Sequence, residues 1–517
     1  MTNIETSVPL TEALKTHFHC HDFRPGQREA IQSILSGKDT VVIMPTGSGK
    51  SLCYQLPAML LPGTSLVVSP LIALMKDQVD SLQRRSLPVT TLHSALSRTE
   101  MKERMQRIDQ EEVKMLYVSP ERFRNTAFLE SFQRWNVPLL VVDEAHCISQ
   151  WGHDFRPDYL VLKQVARQKP NLRIMALTAT ATPEVKQDIS AQLGLGTHGR
   201  EQPSLQVHGF GRDNLFLSVC EADGPREKLR QLLQILERQS RGIIYCATRK
   251  RTGGVGQVLR DCGIQCLVYH AGLPHKIRQE VQERFSDSSD PIIVATNAFG
   301  MGVDRPDLRF VVHWDIPGSL EAYYQEVGRA GRDGERASCL LLFNEADVAT
   351  QEFLMKSSTP EEAEIFATWK ALQRLCSSGA LEHTLSQWSR HIPLVTNETT
   401  LRTCFSVLER AGWIRRETLR GRWESLSLTG KKDMEKMAEQ LDALSQKQRG
   451  NTRKLGALLR YTHTRHCRHG HILRYFGETD VAKTCRTCDR CQRFPGQRLF
   501  RALRGHAKTT SHSGGKL

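Results

Sequence analysis

Met44-Pro45-Thr46-Gly47-Ser48-Gly49-Lys50-Ser51 follows the β-branched run Thr40-Val41-Val42-Ile43 and leads into an apolar run able to start a helix. Strand, glycine turn and helix N-terminus in this order aim successive backbone N–H groups and the positive end of a helix dipole at one point. Such a point suits a polyphosphate. Thr46, Gly47, Ser48 and Gly49 would supply the cradle, Lys50 would meet the β- and γ-phosphates, and Ser51 would ligand Mg²⁺. The strict pattern has Gly where Met44 stands, and the plainer alternative is a glycine-rich β-turn that merely ends in a lysine.

Composition bounds what surrounds this loop. A chain of 517 residues is too long for one ordinary core, and roughly three or four domains are expected. Hydrophobic residues make up 39% and charged residues 25%, values of a globular protein. Lys and Arg number 71 against 56 Asp and Glu, giving a formal charge of +15. That excess points to a polyanionic partner. No apolar run of about 18 residues is present, so no membrane-spanning helix is expected. Met1–Thr11 lacks an apolar signal core, which argues against secretion. Most of the 14 cysteines, Cys53, Cys147 and Cys246 among them, sit in strand-like runs, as reduced buried thiols of a cytoplasmic protein do. Four near the C-terminus are the exception.

After the phosphate loop, strand and helix patterns alternate. Ser65–Val68, Lys114–Val118, Leu139–Val142 and Arg173–Leu177 read as strands, with helical patterns at Leu71–Leu82 and Thr182–Leu193. Continuous apolar strands predict a doubly wound parallel sheet, with chemistry at the C-terminal strand ends. Ser69-Pro70, Ser119-Pro120-Glu121-Arg122, Asp143-Glu144-Ala145-His146 and Thr178-Ala179-Thr180 occupy those ends. Asp143 can hold Mg²⁺ beside Ser51, and Glu144 can orient and deprotonate a water. Upstream, the primary amide of Gln27 can both donate to and accept from one edge of adenine.

Lys50-Ser51, Asp143-Glu144-Ala145-His146 and Thr178-Ala179-Thr180 resemble motifs I, II and III of superfamily 2 helicases. Phe23-Arg24-Pro25-Gly26-Gln27 and Cys147-Ile148-Ser149-Gln150-Trp151-Gly152-His153-Asp154-Phe155-Arg156-Pro157 narrow the resemblance to the RecQ DNA helicases, where Met44 is no departure. The longer stretch resembles that family's aromatic-rich loop, which couples single-stranded DNA binding to ATP hydrolysis. Trp151 and Phe155 can stack on bases, and His153 and Arg156 can meet phosphates or bases. The resemblance also places Arg24 among the ATP contacts.

From about residue 205 the alternation resumes, with strands expected at Gly242–Cys246, Cys266–Tyr269, Ile292–Ala295, Phe310–His313 and Cys339–Phe343. This second lobe has no phosphate loop of its own. Gln325-Glu326-Val327-Gly328-Arg329-Ala330-Gly331-Arg332 resembles helicase motif VI, which adds Gln325 to the ATP contacts. Arg329 and Arg332, three apart, can reach γ-phosphate charge from across a cleft. By resemblance, Thr248, Arg249 and Thr296 contact the DNA backbone.

Residues 344–362 read as a polar connector. Leu401, Phe405 and Leu408 fall at helical spacing, Gly412 stops the helix and Trp413-Ile414-Arg415-Arg416 starts a strand. The succession resembles a winged helix whose wing (Arg415, Arg416, Arg420, Arg422) would face duplex DNA, although such segments also serve structural roles. Beyond it, Cys467, Cys485, Cys488 and Cys491 are spaced C-x17-C-x2-C-x2-C. Three thiols on one turn and a fourth from the preceding helix predict a closed, structural Zn²⁺ site. Tyr475-Phe476-Gly477-Glu478 resembles the RecQ zinc module. That family usually places zinc module before winged helix; here the order is reversed.

The expected architecture is α/β, with two tandem RecA-like lobes (1–204 and 205–344). A connector and winged-helix-like segment (345–440), a four-cysteine zinc-binding helical module (441–493) and a basic, disordered tail (494–517) follow. The resemblance implies a cytoplasmic ATP- and Mg²⁺-dependent DNA helicase with a structural Zn²⁺, nucleoid-associated if bacterial and moving 3′→5′ on single-stranded DNA. Its roles would lie in DNA recombination, repair and replication. Its partners would be single-stranded and duplex DNA, single-strand-binding protein and recombination or repair factors, met by a monomer. An RNA helicase shares the two-lobe motor, and a nonhydrolysing DNA-binding scaffold shares the basic surface; the aromatic loop and the intact Lys50, Asp143, Glu144, Arg329 and Arg332 speak against these two.

Overall fold

The computed structural model describes residues 9–492 except 94–95, 150, 153, 170, 198–200, 288–291, 301–304, 378, 393, 396 and 420–422. The tail at 494–517, His153, Arg420 and Arg422 therefore lie outside the described residues. The chain divides into two compact units. One holds residues up to Asp315, Leu320–Phe343 and the segment from Arg460; the other holds Ile316–Ser319 and Asn344–Leu459.

In the first unit, β1 (Thr40–Ile43), β2 (Ser65–Val68), β3 (Val89–Leu92), β4 (Met115–Val118), β5 (Leu139–Val142), β6 (Arg173–Thr178) and β7 (Ser204–Val207) form one parallel sheet. Its order is β3-β4-β2-β5-β6-β1-β7. β1 through β5 are buried along their whole length, as strands covered by helices on both faces must be. A second parallel sheet has the order β10-β11-β9-β12-β13-β8. Its strands are β8 (Leu215–Glu221), β9 (Gly242–Tyr245), β10 (Leu267–Tyr269), β11 (Ile292–Ala295), β12 (Phe310–His313) and β13 (Ala337–Phe343). The lobes are thus doubly wound, as the apolar runs predict.

Four strands were not legible as apolar runs. β3 carries two threonines, β7 and β8 are half-exposed edge strands, and β14 (Leu381–Thr384) is mostly polar. β7 pairs with β1, so the first sheet continues to Val207, past the boundary expected at 204. The outer edge of β8 is closed by the cysteine turn, with Leu217 N donating to Thr487 O (3.2 Å) and Asp489 N donating to Leu217 O (3.0 Å). Pairing of this kind removes an exposed sheet edge.

The second unit has the winged-helix order of elements. Helices Glu362–Leu375, Leu385–His391 and Glu398–Arg410 pack on a small antiparallel sheet, β14-β16-β15, where β15 is Ile414–Leu419 and β16 is Trp423–Leu428. Leu401, Phe405 and Leu408 all face its core. Gly412 closes the last helix at φ +74°, with Gly412 N donating to Glu409 O and Trp413 N to Leu408 O, a Schellman end that favours glycine. Trp388 is fully buried there, its Nε1 donating to Glu424 O at 3.2 Å and its ring edge-on to Phe405. Arg416, expected on the wing, lies on β15 and donates to Glu424 through two bonds of 2.9 Å; Arg415 is exposed. Trp388→Ala is expected to remove about 3–5 kcal/mol of stability from this unit. Hydrogen exchange of the amides in Glu398–Arg410 measures it, and unchanged protection would contradict the placement of Trp388.

Candidate functional site

Strand order explains why distant motifs meet. β5, β6 and β1 are neighbours, so the segments leaving their C-terminal ends, Asp143-Glu144, Thr178-Ala179-Thr180 and Met44–Ser51, emerge side by side. Backbone bonds run directly between them: Met44 N donates to Thr178 O at 3.2 Å.

The phosphate loop is held from within and from behind. Ser48 Oγ donates to Pro45 O at 2.7 Å, and Lys50 Nζ donates to Met44 O (3.0 Å) and Pro45 O (3.2 Å). Gly47 takes φ +85°, a conformation that glycine reaches without strain. Arg24 Nη1 donates to Gly47 O at 2.7 Å. Gln27 is almost fully buried, and its amide faces the loop rather than open space. Its Nε2 donates to Ser48 O (3.2 Å) and Gly49 O (3.0 Å), and its Oε1 accepts from Arg24 N (2.8 Å). An adenine read by Gln27 would therefore act directly on the loop carbonyls. Ser51 stands at the N-terminus of the helix Leu52–Leu60.

Burial pushes the Lys50 ammonium below its ordinary value, against the raising effect of Glu144 and Asp143. Burial, then the Glu144 charge, raises the Asp143 carboxyl to about 7. Glu144 sits at φ +48°, an uncommon conformation for a residue with a side chain. His146 Nδ1 lies 3.3 Å from the Glu144 carboxylate and 2.9 Å from Thr178 Oγ1. Burial works against the His146 cation, but Cys147 and Glu144 outweigh it and hold the ring at about 10. The arrangement gives a buried carboxylate, a second carboxylate beside a buried histidine, and a link from them to the Thr178 segment.

The two second-lobe arginines are not equivalent. Arg332 lies against the phosphate loop, its Cγ 3.1 Å from where a Cβ on Gly47 would be, and its charge acts on Lys50. Arg329 is buried within its own lobe, donating to Gly300 O beside the Tyr245 hydroxyl. Gln325 lies on the helix Leu320–Val327 that leads into this segment. Sequence reasoning missed Arg212, on the connection between the lobes. It donates to Thr46 O (2.8 Å) in the phosphate loop and to Ala330 O (2.8 Å) and Gly331 O (2.9 Å) in the second lobe. No periodicity or motif marks a single arginine in a connecting loop.

The aromatic loop is fastened to the acidic segment. Arg156 N donates to Cys147 O at 2.8 Å, and a Cβ on Gly152 would run into the His146 carbonyl oxygen. Trp151 is 37% exposed and Phe155 half-buried, so Trp151 is the ring offered outward. Arg156 also has partners within the first lobe. Its guanidinium holds Asp154 Oδ2 (2.8 and 3.0 Å) and Pro70 O (2.8 Å), so it braces the loop. In the second lobe, Thr248 caps the helix Arg249–Asp261 by accepting from Arg251 N, Arg249 is exposed and Thr296 is buried.

The sulfurs of Cys467, Cys485, Cys488 and Cys491 all lie within 4.8 Å of one another. Cys467 is the N-cap of the helix Arg468–Tyr475, the helix that precedes the cysteine turn. Backbone N–H groups point at these sulfurs: Gly470 at Cys467 (3.3 Å), Thr487 at Cys485 (3.3 Å) and Arg468 at Cys488 (3.5 Å). Hydrogen bonding from Cys485 holds the Cys488 thiol down at about 4. Four converging sulfurs with amide donors behind them fit a tetrahedral Zn²⁺.

Comparison with known proteins follows the same division. Residues 24–189 match the DEAD/DEAH box helicase family, 227–334 the helicase conserved C-terminal domain, and 431–492 the RecQ zinc-binding family. The chain is 43% identical over 356 residues to the ATP-dependent DNA helicase RecQ of Bacillus subtilis, covering 68% of this chain and 59% of that protein. It is 42% identical over 358 residues to the probable ATP-dependent DNA helicase RecS of Bacillus subtilis, covering 68% of this chain and 71% of that one. The chain thus spans somewhat over half the length of the RecQ proteins it matches. In fold it is similar to the helicase Lhr of Mycobacterium smegmatis bound to ssDNA and AMP-PNP, with TM-score 0.54, 17% identity, and coverage of 85% of this chain and 63% of that one. The two lobe matches describe helicases in general; the match at 431–492 and the identity to RecQ and RecS narrow the assignment, and the chain belongs to the RecQ family.

Proposed function

We propose that this protein is an ATP-dependent DNA helicase that moves 3′→5′ on single-stranded DNA and separates duplex ahead of it. The observation that carries the reading is the placement of second-lobe Arg332 on the first-lobe phosphate loop, with exposed Trp151 on a loop fastened to Asp143–His146. In this reading ATP binds at Thr46–Ser51 with Arg24, Gln27 and Gln325 around it, and Ser51 and Asp143 hold Mg²⁺. Lys50 and Arg332 neutralise phosphate charge, joined by Arg329 once it turns from Gly300. Glu144 takes the proton of the attacking water, and His146 passes the change to the aromatic loop. Hydrolysis then loosens one lobe from the other, and two lobes alternating on one strand give stepping.

Trp151, Phe155, Arg249, Thr248 and Thr296 are the proposed strand contacts; Arg156 is proposed to position them, and His153 belongs to the same stretch. The cysteine cluster holds a structural Zn²⁺. The protein would act in the cytoplasm, in recombination, repair and replication, alongside single-strand-binding protein.

ATP hydrolysis and unwinding on 3′-tailed, 5′-tailed and blunt DNA, with RNA controls, test the whole reading. Stimulation by single-stranded DNA and unwinding of the 3′-tailed substrate are expected; stimulation by RNA alone would overturn it. Lys50→Ala is expected to lower hydrolysis by at least about 100-fold while leaving the circular dichroism spectrum unchanged. Trp151→Ala should cut DNA-stimulated hydrolysis by about tenfold, the worth of a lost base stack, and basal hydrolysis far less. Unaltered stimulation would remove the coupling role of that loop. For the metal, atomic absorption should find about one Zn²⁺ per chain, and Cys488→Ser should lower that content and the melting temperature together.

A further inference from the structure

The connection between the lobes, residues 208–214, is pinned at Phe210, its buried residue. The Phe210 ring stacks on Phe476 at 4.6 Å with 17° between the planes. Phe210 N donates to Glu478 Oε1 at 2.7 Å, and the Tyr324 hydroxyl donates to Phe210 O. The connection is therefore gripped by the Tyr475–Glu478 segment and by the helix that precedes Arg329. Two residues beyond this grip stands Arg212.

Every N–H of the Arg212 guanidinium has an acceptor. Nη1 donates to Thr46 O (2.8 Å) and Gly328 O (3.2 Å), and Nη2 to Ala330 O (2.8 Å) and Gly331 O (2.9 Å). Nε donates to Asn214 Oδ1 at 3.3 Å. Asn214 Nδ2 in turn donates to Gly331 O (2.8 Å) and Glu335 O (2.9 Å). Five donors in a rigid planar fork thus meet four main-chain carbonyls and one amide, and among the described residues no carboxylate takes any of them. A surface arginine that only added solubility would not be spent this way. One acceptor belongs to the phosphate loop and three belong to the turn carrying Arg332. That turn approaches closely, since a Cβ on Gly328 would stand 3.2 Å from Thr46 Cβ.

We propose that Arg212 is a positioning residue for ATP hydrolysis. It registers the Gly328–Arg332 turn against the phosphate loop and so sets where Arg332 stands relative to Lys50. This rests on the reading of the site as a hydrolytic one. When the lobes part, the bond to Thr46 is the one that breaks, while those to Gly328, Ala330 and Gly331 travel with the second lobe. Arg212 therefore acts on the step that needs both lobes and leaves nucleotide capture by the first lobe alone. Lysine cannot replace it, because three donors on a point charge do not meet five acceptors in a plane.

The experiment compares the full chain with Arg212→Ala and Arg212→Lys. It measures kcat for DNA-stimulated ATP hydrolysis, the equilibrium affinity for a fluorescent nonhydrolysable ATP analogue, and the melting temperature. The expected result is a fall in kcat of between about 10- and 100-fold in both variants, with analogue affinity within about threefold of the parent. Guanidinium ion at low millimolar concentration, against a sodium control of equal ionic strength, should restore part of the kcat of Arg212→Ala. The proposal is overturned by kcat within twofold of the parent, by full recovery in Arg212→Lys, or by affinity and kcat falling together. A Lys variant that does not fold overturns it too, by making Arg212 a folding residue. Absence of hydrolysis in the parent chain would instead defeat the hydrolytic reading.

Discussion

Too many charges stand together under the phosphate loop to be at ease without a ligand. Lys50 is held below its ordinary value by burial, Asp143 is raised to about 7, and Arg332 adds a second cation from another lobe. Burying charge is expensive unless it is paired, and here like charges stand side by side, Arg332 with Lys50 and Glu144 with Asp143. In the proposed function a polyphosphate would set its oxygens beside Lys50 and Arg332, and a divalent cation would stand beside Asp143. The rest of the first unit can be understood as scaffolding for this one balance. β5, β6 and β1 must be adjacent for the loops to meet, and β7 must carry the chain back across β1 so that the second lobe starts beside the phosphate loop.

The same balance gives the site a reason to move. Arg332 reaches the loop only while the lobes are together, so the charge it contributes depends on lobe position. The coupling outward is short. His146 bridges Glu144 and Thr178, the His146 carbonyl abuts Gly152, and Trp151 is the exposed neighbour of that glycine. Inward, the cysteine turn closes the edge of β8, and Phe476 and Glu478 grip the connection that bears Arg212. A structural metal placed there would stiffen an edge strand and a hinge at once.

Legibility in the sequence followed the physics of each feature. Motifs that need a fixed backbone geometry, Met44–Ser51 and Asp143–His146, could be placed because glycine turns and apolar runs leave few alternatives. The cysteine cluster was readable from spacing, three thiols on one turn and Cys467 from the helix before it. Edge strands escaped: β7 carries no continuous apolar run, since partial exposure permits polar residues, and β3, although buried, is interrupted by Thr90 and Thr91. Partner choice escaped as well. Arg156 and Arg416 looked alike as basic residues near nucleic-acid surfaces, yet Asp154 and Glu424 hold them. Arg212 was invisible because its acceptors are main-chain carbonyls far away in sequence, and carbonyls carry no sequence signature.

In the proposed function, nucleotide holds the two lobes together. Cys20 in the first lobe and Cys262 in the second are the exposed cysteines among the described residues, and they offer one label on each side. Energy transfer between dyes at these positions, recorded with no nucleotide, with a nonhydrolysable ATP analogue, with analogue plus single-stranded DNA, and with ADP, measures the distance directly. Higher transfer is expected with analogue than without, highest with DNA present, and a return to the nucleotide-free value with ADP. Transfer that is the same in all four states would contradict it.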